Sequence, residues 1–162
     1  MKTEKRNIHS LDRLDLRIVE ELQKDGSLTN VELASRVGST APSCWRRIRQ
    51  MEEAGVLRQT VRLADAKALG QTVHVVCNVR MSSQSAECVA AFEALVADES
   101  CVLECYSMSG EWDYLLQIVV RDVESYETFL MHKLLKHPSV ASASSHFPLR
   151  TVKYTTALPC SS

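Results

Sequence analysis

At 162 residues the chain has room for one ordinary domain or two small ones, and 45% apolar with 24% charged residues places it among globular proteins, excluding disorder and collagen-like structure. The net charge is only −1, but residues 1–60 hold 11 Lys and Arg against 9 Asp and Glu, whereas residues 61–162 hold 8 against 11. Any phosphate contact therefore belongs to the first part.

Leu11, Leu14, Ile18 and Leu22 recur at helical spacing with Asp15, Arg17 and Glu21 between them, which predicts a first amphipathic helix ending near Gly26. Thr29 followed by Glu32 is a capping-box pattern and opens a short second helix carrying Val31, Leu33, Ala34 and Val37 up to Gly38. Thr40 caps a third, which accepts Pro42 in its first turn and ends at Gly55. These are the proportions of a helix-turn-helix domain over residues 1–57. Residues 58–70 read as a linker in which Arg58 to Leu63 are candidates for a short strand.

From Val73 the period becomes two: Val73, Val75, Cys77, Val79 and Met81 alternate with His74, Val76, Asn78 and Arg80, which predicts a strand. Ser85 to Ala97 returns to helical spacing. Val102 to Met108 and Tyr114 to Val120 are two strands joined by a hairpin through Ser109 to Asp113. A second helix runs from Asp122 or Ser125 to Pro138, and Val140 to Leu149 is the last extended segment. The order βαββαβ over 71–162 predicts a ferredoxin-like sandwich, so the fold class is α+β with a winged-helix-like first domain. Tyr114 to Val120 is apolar on both parities, which predicts that the uncovered sheet face packs against another protomer.

At about 100° per residue, Cys44, Ile48 and Met51 fall on the buried side of the third helix while Arg46, Arg49 and Gln50 face out. Trp45 and Arg47 take the flanks. With Thr40 and Ser43 at the N-terminal end, these residues form the candidate DNA-contacting set, chemically suited to phosphates and guanine edges in a major groove. A solvated basic face on a structural helix fits the same pattern. The turn Gly110-Glu111-Trp112-Asp113 offers backbone amides and a carboxylate able to accept from an ammonium; a solvated turn fits it equally. Ser142, Ser144, Ser145 and His146 add hydroxyls and an imidazole on the last strand, and a structural role fits them as well.

Several classes are excluded. Apolar stretches such as Tyr114 to Val120 fall far short of the ~20 residues that cross a bilayer, so no membrane partner is expected. Residues Met1 to Leu11 carry both charge signs and no apolar run of signal-peptide length, which predicts a cytoplasmic location. The cysteines, Cys44, Cys77, Cys88, Cys101, Cys105 and Cys160, read as free thiols, with Cys44 as a core thiol rather than a sensor and Cys101 and Cys105 as core residues, a thiol pair being the alternative. No Cys-x-x-Cys occurs and His132 and His137 lie five apart, so no metal is expected. The absence of a nucleophile elbow, P-loop or dinucleotide fingerprint argues against an enzyme, and no cofactor is expected.

Leu11-Asp12-x-x-Asp15-x-x-Ile18, Leu22-Gln23-x-Asp25-Gly26, Leu33-Ala34, Arg47-Ile48 and Met51-Glu52-x-x-Gly55-Val56-Leu57 resemble the Lrp/AsnC (feast/famine) family of transcription regulators. The likeness continues through Gly110-x-x-Asp113-Tyr114, Tyr126, Phe129 and Lys153-x-Thr155-x-x-Leu158-Pro159, from about residue 10 to 159 in one register. It departs at Ser39, where an apolar residue is usual, and at Ser139, where glycine is common. Pro42-Ser43-Cys44-Trp45-Arg46-Arg47 resembles the branch with a Cys-Trp recognition helix. The resemblance implies a regulator of double-stranded DNA responding to a small amino acid, with homodimers formed through sheet faces and assembling to octamers. By the same likeness the effector site involves Gly110, Glu111, Trp112, Asp113, Ser144, Ser145 and His146. A thiol redox regulator on the same scaffold and a small-molecule module without DNA binding are the alternatives.

Overall fold

Asp12 starts the first helix: its carboxylate accepts from the amides of Leu14 and Asp15, both at 2.8 Å, while Asp15 accepts in return from the Asp12 amide at 3.1 Å. This reciprocal cap satisfies three amides that a helix start leaves without partners. The structure, a computed structural model, describes residues 11–160; the charge pattern read over residues 1–10 lies outside it. Helix α1 (Arg13–Lys24) buries Ile18 completely and half-buries Leu14 and Leu22. Helix α2 (Asn30–Val37) carries the Thr29–Glu32 capping box and ends at Gly38, whose φ of 66° is left-handed. Helix α3 (Ala41–Glu53) starts at Thr40 with Pro42 in its first turn. Ile18, Leu33, Ala34, Val37, Cys44 and Met51 form the core of this unit. The short strand considered for Arg58 to Leu63 is not formed. Those residues carry no regular secondary structure and find no strand partner among the described residues to supply ladder hydrogen bonds, and a turn follows at Asp65 to Gly70.

The second unit is a four-stranded antiparallel sheet of β1 (Val73–Met81), β2 (Val102–Ser107), β3 (Tyr114–Val120) and β4 (Val140–His146), in the order β2-β3-β1-β4. Val75, Cys77, Val79 and Met81 of β1 and Tyr114, Leu116, Ile118 and Val120 of β3 pack with Phe92 of helix α4 (Ala86–Asp98) and Tyr126 and Phe129 of helix α5 (Val123–Phe129). Both helices thus cover one face. The other carries Val76, Asn78, Arg80, Leu115, Gln117 and Val119, by the alternation of strand side chains.

Two elements depart from expectation. The last helix is not a single α-helix to Pro138: α5 passes into a π-helical turn at Leu130–Leu134, where the Leu135 amide donates to the Leu130 carbonyl at 2.9 Å. The wider turn brings Phe129 and Leu134, five residues apart, onto the same buried side, at 5% and 0% exposure. The last strand ends at His146, not Leu149. Phe147 leaves the ladder to lie edge-on against Tyr126, with ring centroids 5.6 Å apart, and Pro148 has no amide to continue pairing.

The described residues divide into two compact units: residues 11–63 together with the tail 153–160, and residues 64–152. The tail joins the first unit through Gln23, whose carboxamide bonds both backbone groups of Leu158. Among the described residues no helix is long and apolar enough to cross a membrane, and no group of three or more His, Cys, Asp or Glu stands ready to hold a metal. The cysteines are free; Cys44 is buried, Cys101 packs partly against the core, and Cys105, expected in the core, is exposed on the edge strand β2.

Candidate functional site

Helix α3 is seated by its apolar side, with Cys44 and Met51 buried and Ile48 packed against the same core. Opposite them, Arg46, Arg49 and Gln50 are exposed, and Trp45 presents 57% of its surface. Arg46 donates to Gln50 at 3.3 Å and Arg49 to Glu52 at 3.5 Å, one helical turn apart and open to solvent, so both guanidiniums exchange these partners at little cost. At the N-terminus the Thr40 hydroxyl accepts from the Ser43 amide at 3.4 Å, which makes Thr40 a cap before anything else.

Arg47 is placed otherwise than expected. The sequence set it on a flank as a DNA contact, but its Nη1 donates to Asp12 Oδ2 and Asp15 Oδ1, each at 2.7 Å, and only 21% of the side chain is exposed. The two carboxylates raise the pKa of Arg47; that of Asp12 is lowered by the Asp15 amide first and the Arg47 guanidinium next. Arg47 is turned into its own unit, with Nη1 committed to the two carboxylates.

On the second unit, the hairpin before β3 turns at Gly110, whose φ of 121° is closed to other residues without strain. Asp113 organises the end of the sheet. Its amide donates to the Val79 carbonyl at 3.0 Å and its carbonyl accepts from Met108 at 2.8 Å. Met81 lies on the same edge of β1 as Val79, where β3 has already ended, and its amide donates to Asp113 Oδ2 at 2.6 Å; the side chain replaces the missing ladder acceptor. Gln84 donates to Oδ1, also at 2.6 Å. Beside this, Arg80 lies 5.1 Å over the Trp112 ring and donates to the carbonyl and carboxylate of Glu111, both at 3.1 Å. Arg80 and Gln84 were missed in the sequence; the only signal was their nearness in the chain to the end of β1.

The three candidates on β4 do not face one way. Ser144 pairs with Asn78 and His146 with Val76, on the uncovered face, where the Ser144 hydroxyl and the Asn78 amide lie 3.3 and 3.4 Å from His146 Nε2. Ser145 pairs with Cys77 on the helix-covered face, and its hydroxyl meets that of Tyr126 at 2.5 Å. Successive strand residues point to opposite faces, so Ser145 is a core hydroxyl and cannot share a site with its neighbours. Burial pushes the Tyr126 phenol far above its ordinary range. A cleft of about 370 Å³ opens at the opposite end of the sheet, lined by Leu103, Val119, Arg121 and Ser125 among others; the Gly110–Asp113 hairpin does not border it.

Comparison with known proteins matches both units. Residues 74–158 match the Lrp/AsnC ligand binding domain and residues 11–58 a winged helix-turn-helix DNA-binding domain. The leucine-responsive regulatory protein of Rhizobium meliloti (strain 1021) is 42% identical over 88% of this chain and 92% of its own length. The Bkd operon transcriptional regulator of Pseudomonas aeruginosa is 34% identical over 92% and 97%. The crystal structure of the transcriptional regulator NMB0573/L-Met complex from Neisseria meningitidis superposes with a TM-score of 0.89 at 36% identity, covering 93% of this chain and 97% of that one. An AsnC family transcriptional regulator from Agrobacterium tumefaciens gives 0.86 at 40% identity, covering 91% and 96%.

Proposed function

Because the chain belongs to the Lrp/AsnC family and is a DNA-binding transcription regulator, not an enzyme, we propose that its DNA affinity and assembly respond to a small apolar amino acid of the leucine or methionine kind. The observation that carries the DNA half is the face of α3 opposite Cys44 and Met51, where Trp45, Arg46, Arg49 and Gln50 stand free of the core. Arg46 and Gln50 read base edges, Arg49 and the N-terminal Thr40 and Ser43 contact phosphate, and Trp45 packs on the sugar-phosphate edge. The sequence Cys44-Trp45 supports assigning the chain to the branch with a Cys-Trp recognition helix. Residues 1–57 are the DNA-binding domain, 58–70 the linker and 71–162 the effector and oligomerisation domain, whose tail from Lys153 groups with the first compact unit.

The effector site is the end of the sheet at Gly110, Glu111, Trp112 and Asp113 together with Ser144 and His146. A free amino acid needs an acceptor for its ammonium and donors for its carboxylate. Asp113 keeps lone pairs beyond those given to Met81 and Gln84, and the Gly110 loop amides and the Ser144 hydroxyl are the donors. Homodimers form through the uncovered sheet face and assemble to octamers in the cytoplasm. Ligand shifts these populations only by its differential affinity for the assembled state. The Rhizobium relative is named for its response to leucine, and the Neisseria structure is a complex with L-methionine.

The experiment is a competition assay between random DNA and a genomic fragment retained by the protein, with and without L-leucine or L-methionine, alongside sedimentation. A sequence preference that changes with ligand, in step with particle size, is expected. Arg46→Ala should reduce the affinity for the retained fragment by ~1 to 3 kcal/mol and that for random DNA much less. Equal affinity of the wild-type protein for both DNAs overturns the reading.

A further inference from the structure

Among the cationic side chains of α3, Arg47 alone is withdrawn from solvent, and where it goes defines what it does. A single nitrogen, Nη1, donates to both Asp12 and Asp15 at 2.7 Å. Those two residues are the N-cap and the third helical residue of α1, already joined to each other by the reciprocal cap. The guanidinium therefore binds the start of α1 as a unit, and its Nε is buried with no hydrogen-bond partner among the described residues.

The remaining hold on α3 is apolar. Cys44, Ile48 and Met51 bury one side of the helix, but burial of apolar surface is non-directional and leaves rotation about the helix axis weakly specified. A charge-assisted hydrogen bond to a fixed carboxylate is directional. Arg47 stands next to Arg46 and two residues from Arg49, so a rotation that lengthens its bonds to Asp12 and Asp15 swings the open face with it. We infer that Arg47, with Asp12 and Asp15, is the positioning element that fixes the angle at which α3 presents Trp45, Arg46, Arg49 and Gln50 to DNA, and that it does not touch DNA itself. This rests on the assignment of that face to DNA.

Two consequences separate positioning from contact. A residue that neutralises a phosphate takes about 0.9 from the slope of log affinity against log salt when removed, and weakens all DNA alike. A positioning residue leaves the slope and random-DNA binding unchanged and lowers affinity only where the helix must sit at one angle. The acidic partners sharpen the distinction, because Asp15→Asn removes a negative charge from the DNA-binding unit. Electrostatics alone would then strengthen binding, whereas loss of positioning weakens it at the specific site.

The test uses the full chain, with circular dichroism and melting curves recorded first and affinities measured well below every melting temperature, so that lowered stability alone does not move the readout. Arg47→Met and Asp15→Asn should each lose about tenfold or more on the retained genomic fragment with unchanged salt slope, while random-DNA affinity is unchanged in Arg47→Met and no weaker in Asp15→Asn. The double variant should lose no more than either single one, since both break the same tie. Arg47→Lys, whose single nitrogen can also meet both carboxylates, should recover part of the loss. Tighter binding of both DNAs by Asp15→Asn, a shallower salt slope in Arg47→Met, or wild-type specific affinity in both overturns the inference. Lack of sequence preference in the wild-type protein fails the DNA assignment of α3 instead, and is seen before any variant is compared.

Discussion

Gln23 holds Leu158 by both of its backbone groups: Nε2 donates to the Leu158 carbonyl at 3.0 Å and Oε1 accepts from its amide at 2.7 Å. A carboxamide presents a donor and an acceptor side by side, as an extended strand edge does, so it pairs with a passing segment that has no sheet to join. The half-buried Cys160 thiol lies 3.3 Å from the same Nε2. Gln23→Ala should free the tail and speed alkylation of Cys160 by iodoacetamide, followed by peptide mass spectrometry with exposed Cys105 as internal reference. An unchanged rate at Cys160 would mean that other contacts hold the tail.

The carboxylate of Asp113 is a part of the sheet before it is a ligand group. Asp113→Ala leaves the Met81 amide without its acceptor and should cost about 1 to 3 kcal/mol of stability in urea unfolding. Asp113→Asn retains an oxygen for Met81 and should cost less, while losing the charge that an ammonium requires. Calorimetry with L-leucine or L-methionine on the folded Asn variant therefore isolates the charge. Wild-type affinity there would assign Asp113 to the turn alone.

The sequence made the outline readable because burial imposes a period. Alternation bounds β1 at Val73–Met81, a continuous apolar run bounds β3 at Tyr114–Val120, and side chains that satisfy helix-start amides mark the caps at Thr29 and Thr40. Relations across the chain were not legible. Helical spacing placed Arg47 on a flank but could not say that the flank meets Asp12 and Asp15, 35 and 32 residues earlier. The Gln23–Leu158 clamp spans 135 residues and leaves no periodic trace. Ser145 was grouped with Ser144 and His146 by adjacency, although period two separates them; the pairing with Cys77 decides which one turns inward. Ser139 stands where glycine is common in the family, yet no non-glycine residue among those described has a positive φ, so its backbone makes no demand that only glycine meets.

Asp122 gives the second unit an acid-sensitive cap. Its carboxylate accepts from the Ser125 hydroxyl at 2.6 Å and amide at 2.8 Å, and from Arg121 Nε at 3.0 Å, which lowers its pKa from 3.8 to about 2. A carboxyl depressed on folding contributes stability that is fully present above its unfolded value and is lost as pH falls through its folded one. Urea midpoints should therefore decline between pH about 4 and about 2, and Asp122→Ala should be less stable at neutral pH but show a shallower decline over that window. Parallel declines for the two proteins would remove Asp122 as a source of acid sensitivity.

The uncovered sheet face makes the strongest demand on assembly. Leu115 and Tyr106 are register partners on it, Val76 and Val119 lie on the same side, and Tyr106 is 48% exposed. At ~25 cal/mol per Å², a few hundred Å² of such surface buried between two copies is enough to favour association at micromolar concentration. Arg80, Glu104 and Gln117 border the patch, and one oxygen of Glu104, Oε2, accepts from both Tyr106 at 2.8 Å and Gln117 at 2.6 Å. Leu115→Arg would replace an apolar contact by a guanidinium that each protomer of a face-to-face dimer must strip of water, at a cost that exceeds the apolar gain. Sedimentation should show the wild-type protein as a dimer or larger and Leu115→Arg shifted toward the 18.1 kDa monomer. Val31→Arg, at a residue 71% exposed on α2, is the matched control and should assemble as the wild type does. If Leu115→Arg assembles normally as well, the uncovered face is not the interface, and the protomers must meet through another surface.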